Sequence, residues 1–88
     1  MSYLVFSELA WEDYLYWQTQ DKKTLKKING LLKQITRSPY FGEGKPEPLK
    51  YGESNIWSRR INNKDRLVYA VREGSIEIIQ CKGHYGDS

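Results

Sequence analysis

Apolar and polar positions change their spacing twice along the chain. Tyr3-Leu4-Val5-Phe6 is a short apolar run closed by Ser7, which predicts a buried strand. Ser7 suits the N-cap of a following helix, with Glu8 in the first turn where the helix dipole favours an anion. Within that helix Trp11, Tyr14 and Leu15 stand at i, i+3 and i+4, predicting one apolar stripe. Thr19-Gln20-Asp21 interrupts the period, and Asp21 suits the cap of a second helix. There Leu25, Ile28, Leu31, Leu32 and Ile35 repeat at helical spacing and predict the buried face, with Gly30 a mildly unfavourable residue inside it. Residues 38–54, SPYFGEGKPEPLKYGES, carry all three prolines and read as a long loop. Beyond it the period becomes that of strands. Residues 56–61 alternate, Asn62-Asn63-Lys64-Asp65 is a turn, RLVYAVR is a second strand, Glu73-Gly74 a hairpin turn, and 75–82 a last strand. The order is strand, two helices, then an antiparallel three-stranded meander. The α+β expectation is one curved sheet with two helices packed on one face, burying both helical stripes.

Composition narrows the class without naming a function. A chain of 88 residues makes one domain, expected over 1–88, with a modest core. The single cysteine, Cys81, cannot form an internal disulfide, and no apolar run is long enough to span a membrane. With no signal-peptide pattern either, a cytoplasmic location is expected. The net charge of +3 and a pI of about 9.0 permit an anionic partner without requiring one. Most of this charge lies on the second helix, where Lys22, Lys23, Lys26, Lys27, Lys33 and Arg37 occur with no acid between them. Such a run is either a solvated face or a surface for phosphates.

Few residues remain that could carry chemistry. One histidine and one cysteine two residues apart make a poor metal-ligand set, and no glycine loop for phosphates is present. Cys81 falls inside an apolar strand pattern, where a free cysteine acts as a small hydrophobe. Glu47 and Lys50 lie in the proline-rich loop, Arg59 and Arg60 on the first strand of the meander, Arg66 at the start of the next, and His84-Tyr85 past the last. Arg66 and Lys82 are about equidistant from the Glu73-Gly74 hairpin, so His84 falls near the Arg66 end of the sheet. RNA cleavage by a 2′-hydroxyl needs a base, a cation for the phosphorane and an acid for the leaving oxygen, roles that a carboxylate, an arginine and a histidine can fill. Histidine's ordinary pKa of ~6.5 suits either proton transfer near neutrality. Each residue taken singly also has a plain reading, as a solvated loop acid, outward strand arginines or a surface histidine.

The segments WEDYLYWQTQDKKTLKKIN, GKPEPLKY, WSRRI, RLVYAV and C-x-x-HY, in this order from Trp11 to Tyr85, resemble the YoeB (Txe) family of bacterial toxins within the RelE-like group. The resemblance implies a RelE-like, microbial ribonuclease-like fold and a ribosome-dependent mRNA endonuclease that needs no metal or cofactor and cuts the messenger in the ribosomal A site. It implies a YefM-like antitoxin as partner, with the toxin often a homodimer. By the same resemblance Glu47 is the general base, Arg66 the transition-state cation, His84 the general acid, and Tyr85 a residue that positions or stacks on the substrate. Lys50, Arg59, Arg60 and Lys82 are implied in binding the RNA backbone. Which of Arg59 and Arg60 faces the site stays open, because strand neighbours point to opposite faces. This chain carries Lys82 where relatives commonly have arginine, and continues past the tyrosine with Gly86-Asp87-Ser88. Two other readings compete: a non-catalytic basic domain that blocks translation by occupying the ribosome or an RNA, and a domain that binds only a protein partner.

Overall fold

The computed structural model describes residues 2–50 and 55–83. Strand β1 (Tyr3–Phe6) leads into helices α1 (Glu8–Gln20) and α2 (Lys22–Ile35). Strands β2 (Glu47–Pro48), β3 (Ile56–Arg60), β4 (Arg66–Arg72) and β5 (Ser75–Gln80) follow. They form one five-stranded sheet in the order β1-β5-β4-β3-β2. β2 to β5 pair antiparallel, while β1 runs parallel to β5 at the edge. The long loop is therefore not wholly irregular, because two of its residues add a strand. β2 pairs only with β3 and is an edge, the place where Pro48 costs no ladder hydrogen bond.

Both predicted caps form. The Ser7 hydroxyl accepts from the Ala10 amide at 3.0 Å, and an Asp21 carboxylate oxygen accepts from the Thr24 amide at 3.1 Å. Ile28, Leu31, Leu32 and Ile35 of α2 are buried, and Leu25 packs at their margin, as the period predicts. They meet Leu67 and Tyr69 of β4 and Ile76 and Ile78 of β5, which face the helices. Among the described residues the opposite face bears no helix. Its own small apolar group is Ile56, Val68 and Ala70, flanked by Leu49 and Ile79.

Two further expectations fail. β1 is not buried: Tyr3 is 78% and Val5 48% exposed, because an edge strand has a neighbour on one side only. The buried residues of α1 are Ala10, Asp13 and Trp17, not the stripe Trp11, Tyr14, Leu15. Trp11 and Leu15 are exposed, and Trp11 stacks on Tyr14 with the Phe6 ring edge-on to both. The helix turns its other side inward because Asp13 and Trp17 find polar partners there. The Cys81 amide donates to Asp13 Oδ2 at 3.0 Å, and Trp17 Nε1 donates to the Cys81 carbonyl at 2.9 Å. Buried polar groups with partners cost little, so an acid can hold an inward position that hydropathy assigns to leucine.

Candidate active site

The open face of the sheet is assembled by register. Glu47 of β2 stands opposite Ser58 of β3, Ser58 opposite Val68 of β4, and Val68 opposite Gln80 of β5. Directly cross-paired residues share a face, so these four form a row across four strands. One step further along, Arg60 pairs with Arg66 on the same face. Glu47, Arg60 and Arg66 thus rise from one surface floored by Ile56, Val68 and Ala70. By strand spacing and rise, the backbones at Glu47 and Arg66 stand about 12 Å apart. That span leaves room for a phosphodiester between a carboxylate and a guanidinium.

A register shift between Val68 and Tyr69 changes the end of β5: Tyr69 pairs with Ile78, but Val68 pairs with Gln80. The extra residue, Ile79, bends the strand end and lets it reach the start of β4. There the Arg66 amide donates to the Gly83 carbonyl at 2.9 Å. The hairpin geometry read from the sequence therefore holds up to Gly83. His84 and Tyr85 lie outside the described residues, as do Gly86, Asp87 and Ser88.

The paired arginines separate completely. Arg60 is exposed on the open face, whereas Arg59 is 0% exposed on the helix side. Its guanidinium donates to Gln34 Oε1 and to the carbonyls of Ser38, Phe41 and Glu43, and its Nε donates to the Tyr69 hydroxyl at 3.1 Å. The donors of Arg59 are therefore engaged within the fold rather than presented on the open face. Arg59 holds the 38–44 loop against β3 with a planar fork of donors. Tyr69 responds to the same setting: burial raises its pKa, and the hydrogen bond and charge of Arg59 partly offset that rise. The loop then turns sharply. Gly44 has φ of +82°, and a Cβ there would meet the Arg59 side chain and the Arg60 carbonyl at 3.0 Å. The Gly44 carbonyl accepts from the Arg60 amide at 2.6 Å, which delivers the chain to β2 and Glu47. Gln34, Gly44 and Arg59 thus position Glu47 from beneath.

Lys50 is exposed just past β2. Lys82 lies elsewhere: its ammonium sits 4.3 Å from the centre of the Tyr16 ring on α1, on the helix layer. That contact takes the Lys82 side chain away from the face bearing Glu47, Arg60 and Arg66. Cys81 is fully buried, and burial, with Asp13 and Asp65 nearby, pushes its pKa up to about 12. A thiol so held is no nucleophile at neutral pH. Among the described residues no cluster of three or more His, Cys, Asp or Glu could hold a metal ion. Two supporting acids were not singled out in the sequence. Asp13 is drawn upward in pKa by burial, against the opposing Cys81 hydrogen bond and Lys82 charge. Asp65, 5% exposed, accepts from the Gly83 amide at 2.8 Å. The available signal for Asp65 was the Asn-x-x-Asp turn placed directly before the β4 arginine.

The fold is similar to that of YafQ from Escherichia coli, at a TM-score of 0.77 and 14% identity over 96% of this chain and 94% of that one. That likeness is one of fold. Residues 6–85 match the family described as the YoeB-like toxin of bacterial type II toxin-antitoxin systems, and the chain belongs to it. Toxin YoeB of Escherichia coli is 55% identical over 82 residues, covering 93% of this chain and 98% of the relative. A YoeB dimer from Staphylococcus aureus has a TM-score of 0.89 and 50% identity, covering 96% of this chain and 98% of that one. The toxin of a heterotetrameric YoeB–YefM complex from the same organism has a TM-score of 0.85 and 50% identity over 97% of this chain and 99% of its own.

Proposed function

We propose that this toxin is an endoribonuclease that cuts mRNA in the ribosomal A site and so stops translation. The observation that carries the reading is the shared open face. Glu47, Arg60 and Arg66 emerge on it from three strands, and the main chain one residue before His84 is bonded to the Arg66 amide. Glu47 takes the proton of a ribose 2′-hydroxyl, and the freed oxygen attacks the adjacent phosphorus. Arg66 balances the charge that gathers on the phosphorane oxygens. His84 gives its proton to the departing 5′-oxygen, leaving a 2′,3′-cyclic phosphate on one fragment and a 5′-hydroxyl on the other. No metal takes part. Tyr85 stacks on or orients a base, and Arg60 and Lys50 hold flanking phosphates. The ribosome supplies the messenger in a strained single-stranded form and so the substrate's geometry.

A YefM-like antitoxin is the cognate inhibitor and the toxin pairs with itself, as the complexes and dimer of the Staphylococcus aureus relatives support. The site of action is the cytoplasm, where ribosomes are; no helix among the described residues is long and apolar enough to cross a membrane. Toeprinting on translating ribosomes tests the reaction. The expected result is a new 3′ end in the A-site codon, with Glu47→Ala, Arg66→Ala and His84→Ala each slowing it about 10²–10⁴-fold. Full inhibition of translation by the Glu47→Ala and His84→Ala chains, with no cut messenger, would favour occupancy of the ribosome by a basic binder instead.

A further inference from the structure

The 62–65 turn touches both ends of the proposed chemistry. Asn62 Oδ1 accepts from the amides of Lys64 and Asp65 at 2.8 and 2.7 Å, which locks the Asn62 side chain and aims its Nδ2 at Asp65. Asn62 Nδ2 donates to Asp65 Oδ2 at 3.0 Å, leaving Oδ1 to accept from the Gly83 amide at 2.8 Å. The Gly83 carbonyl in turn accepts from the Arg66 amide at 2.9 Å. Gly83 is therefore held on both sides of its Cα, in a left-handed conformation (φ +78°) that suits glycine. On the same turn the carbonyls of Asn62 and Asp65 accept from Arg66 Nη1 at 2.7 and 3.1 Å. Behind it Asp13 holds the Cys81 amide, so two carboxylates from distant parts of the chain grip alternate residues of 81–83.

We propose that Asp65 is a positioning residue of the nuclease: through the Gly83 amide it sets where the chain enters His84, and through its turn it sets the Arg66 guanidinium. Asp13 backs it by anchoring Cys81. This inference rests on the reading of His84 and Arg66 given above. Its logic is geometric. An acid that protonates a leaving oxygen must be held to a fraction of an ångström, and the last strand ends at Gln80, four residues earlier, so the end of that strand needs an external brace. Asp65 supplies the brace with acceptors only. In Asp65→Asn one of the two acceptor sites becomes a donor, which then opposes either the Asn62 Nδ2 group or the Gly83 N–H. The exchange Asn62→Asp with Asp65→Asn restores the pattern: the new asparagine accepts from Gly83 and donates to the new aspartate, whose other oxygen still caps the turn.

The test uses the whole chain. His84 is the only histidine, so its ring signals in a proton–nitrogen correlation spectrum need no assignment by elimination. Asp65→Asn is expected to shift the His84 ring signals and to lower kcat on ribosomes about 10²-fold with KM little changed. The Asn62→Asp/Asp65→Asn chain is expected to recover both. Unmoved His84 signals in Asp65→Asn, or a double variant as impaired as the single one, overturn the proposal. If Asp65→Asn does not fold, the double variant against the native chain decides by the same two readouts. If the native chain cuts nothing, the nuclease reading falls while the ring signals still show whether Asp65 places His84.

Discussion

Arg59 is a buried cation whose hydrogen-bond partners among the described residues are neutral oxygens on α2, β4 and the 38–44 loop. Removing it strands several buried carbonyls at once. Arg59→Ala is expected to cost at least about 3 kcal/mol in urea unfolding, and Arg59→Lys to recover only part, since an ammonium lacks the planar fork. An unchanged midpoint would show that the loop does not depend on this residue. Cys81 gives a second expectation. Its thiol, raised to about 12, should resist Ellman's reagent in the native chain and react freely in guanidinium. The sign of the linkage follows from a folded pKa above the ordinary 9.0: the contribution to stability is complete below that value and is lost as pH climbs through 9 toward 12. Alkaline unfolding of the native chain and Cys81→Ala measures it.

Helix α1 and strand β1 are where local pattern and tertiary packing part. The apolar residues of α1 are spread around the helix, so its inward side is chosen by polar partners at Cys81 rather than by hydropathy. Helix α2 has one dominant apolar side and obeys its pattern. The caps fix where both helices begin. The Ser7 hydroxyl also donates to the Ile79 carbonyl at 2.8 Å, tying the start of α1 to the bulged end of β5. Ser7→Ala is expected to lower stability by about 1–2 kcal/mol, read from thermal melting. Asp21 behaves in the opposite sense to Cys81. Its hydrogen bonds from the Thr24 side chain and amide lower its pKa below the ordinary 3.8, so its contribution is present above that value and lost as pH falls through the folded one. Asp21→Asn should flatten the acid limb of stability against pH, and an unaltered limb would count against the cap.

Charge is divided across the whole molecule. The exposed lysines of α2 lie on the helix layer, and Arg60 and Arg66 on the other side of the sheet. A messenger bound on the open face, as proposed, would leave the α2 lysines to meet other phosphates of the ribosome. Reversing Lys22, Lys23, Lys26 and Lys27 to glutamate is expected to weaken ribosome binding and to reduce its salt dependence. A binding curve with unchanged salt slope would confine those lysines to solvation. The antitoxin is expected to silence the site by covering its cations with acidic groups, so its affinity should fall with salt and with Arg66→Ala or Lys50→Ala. Arg59 falls outside that set, because its guanidinium is enclosed.

The sequence by itself determined the order of elements apart from β2, both caps, the buried side of α2, the hairpins and the family, because each is written in local spacing or in ordered motifs. It also placed the end of β5 beside Arg66, since a tight hairpin makes positions equidistant from its turn neighbours. Only the tertiary structure decided which arginine of the pair is enclosed, which side of α1 turns inward, and that β1 is an open edge. It alone revealed Asp13 and Asp65 as the acids that hold the Cys81 and Gly83 amides. The physical reason is common to all of these. A polar or charged side chain is placed by its distant hydrogen-bond partners, and periodicity along the chain carries no record of them.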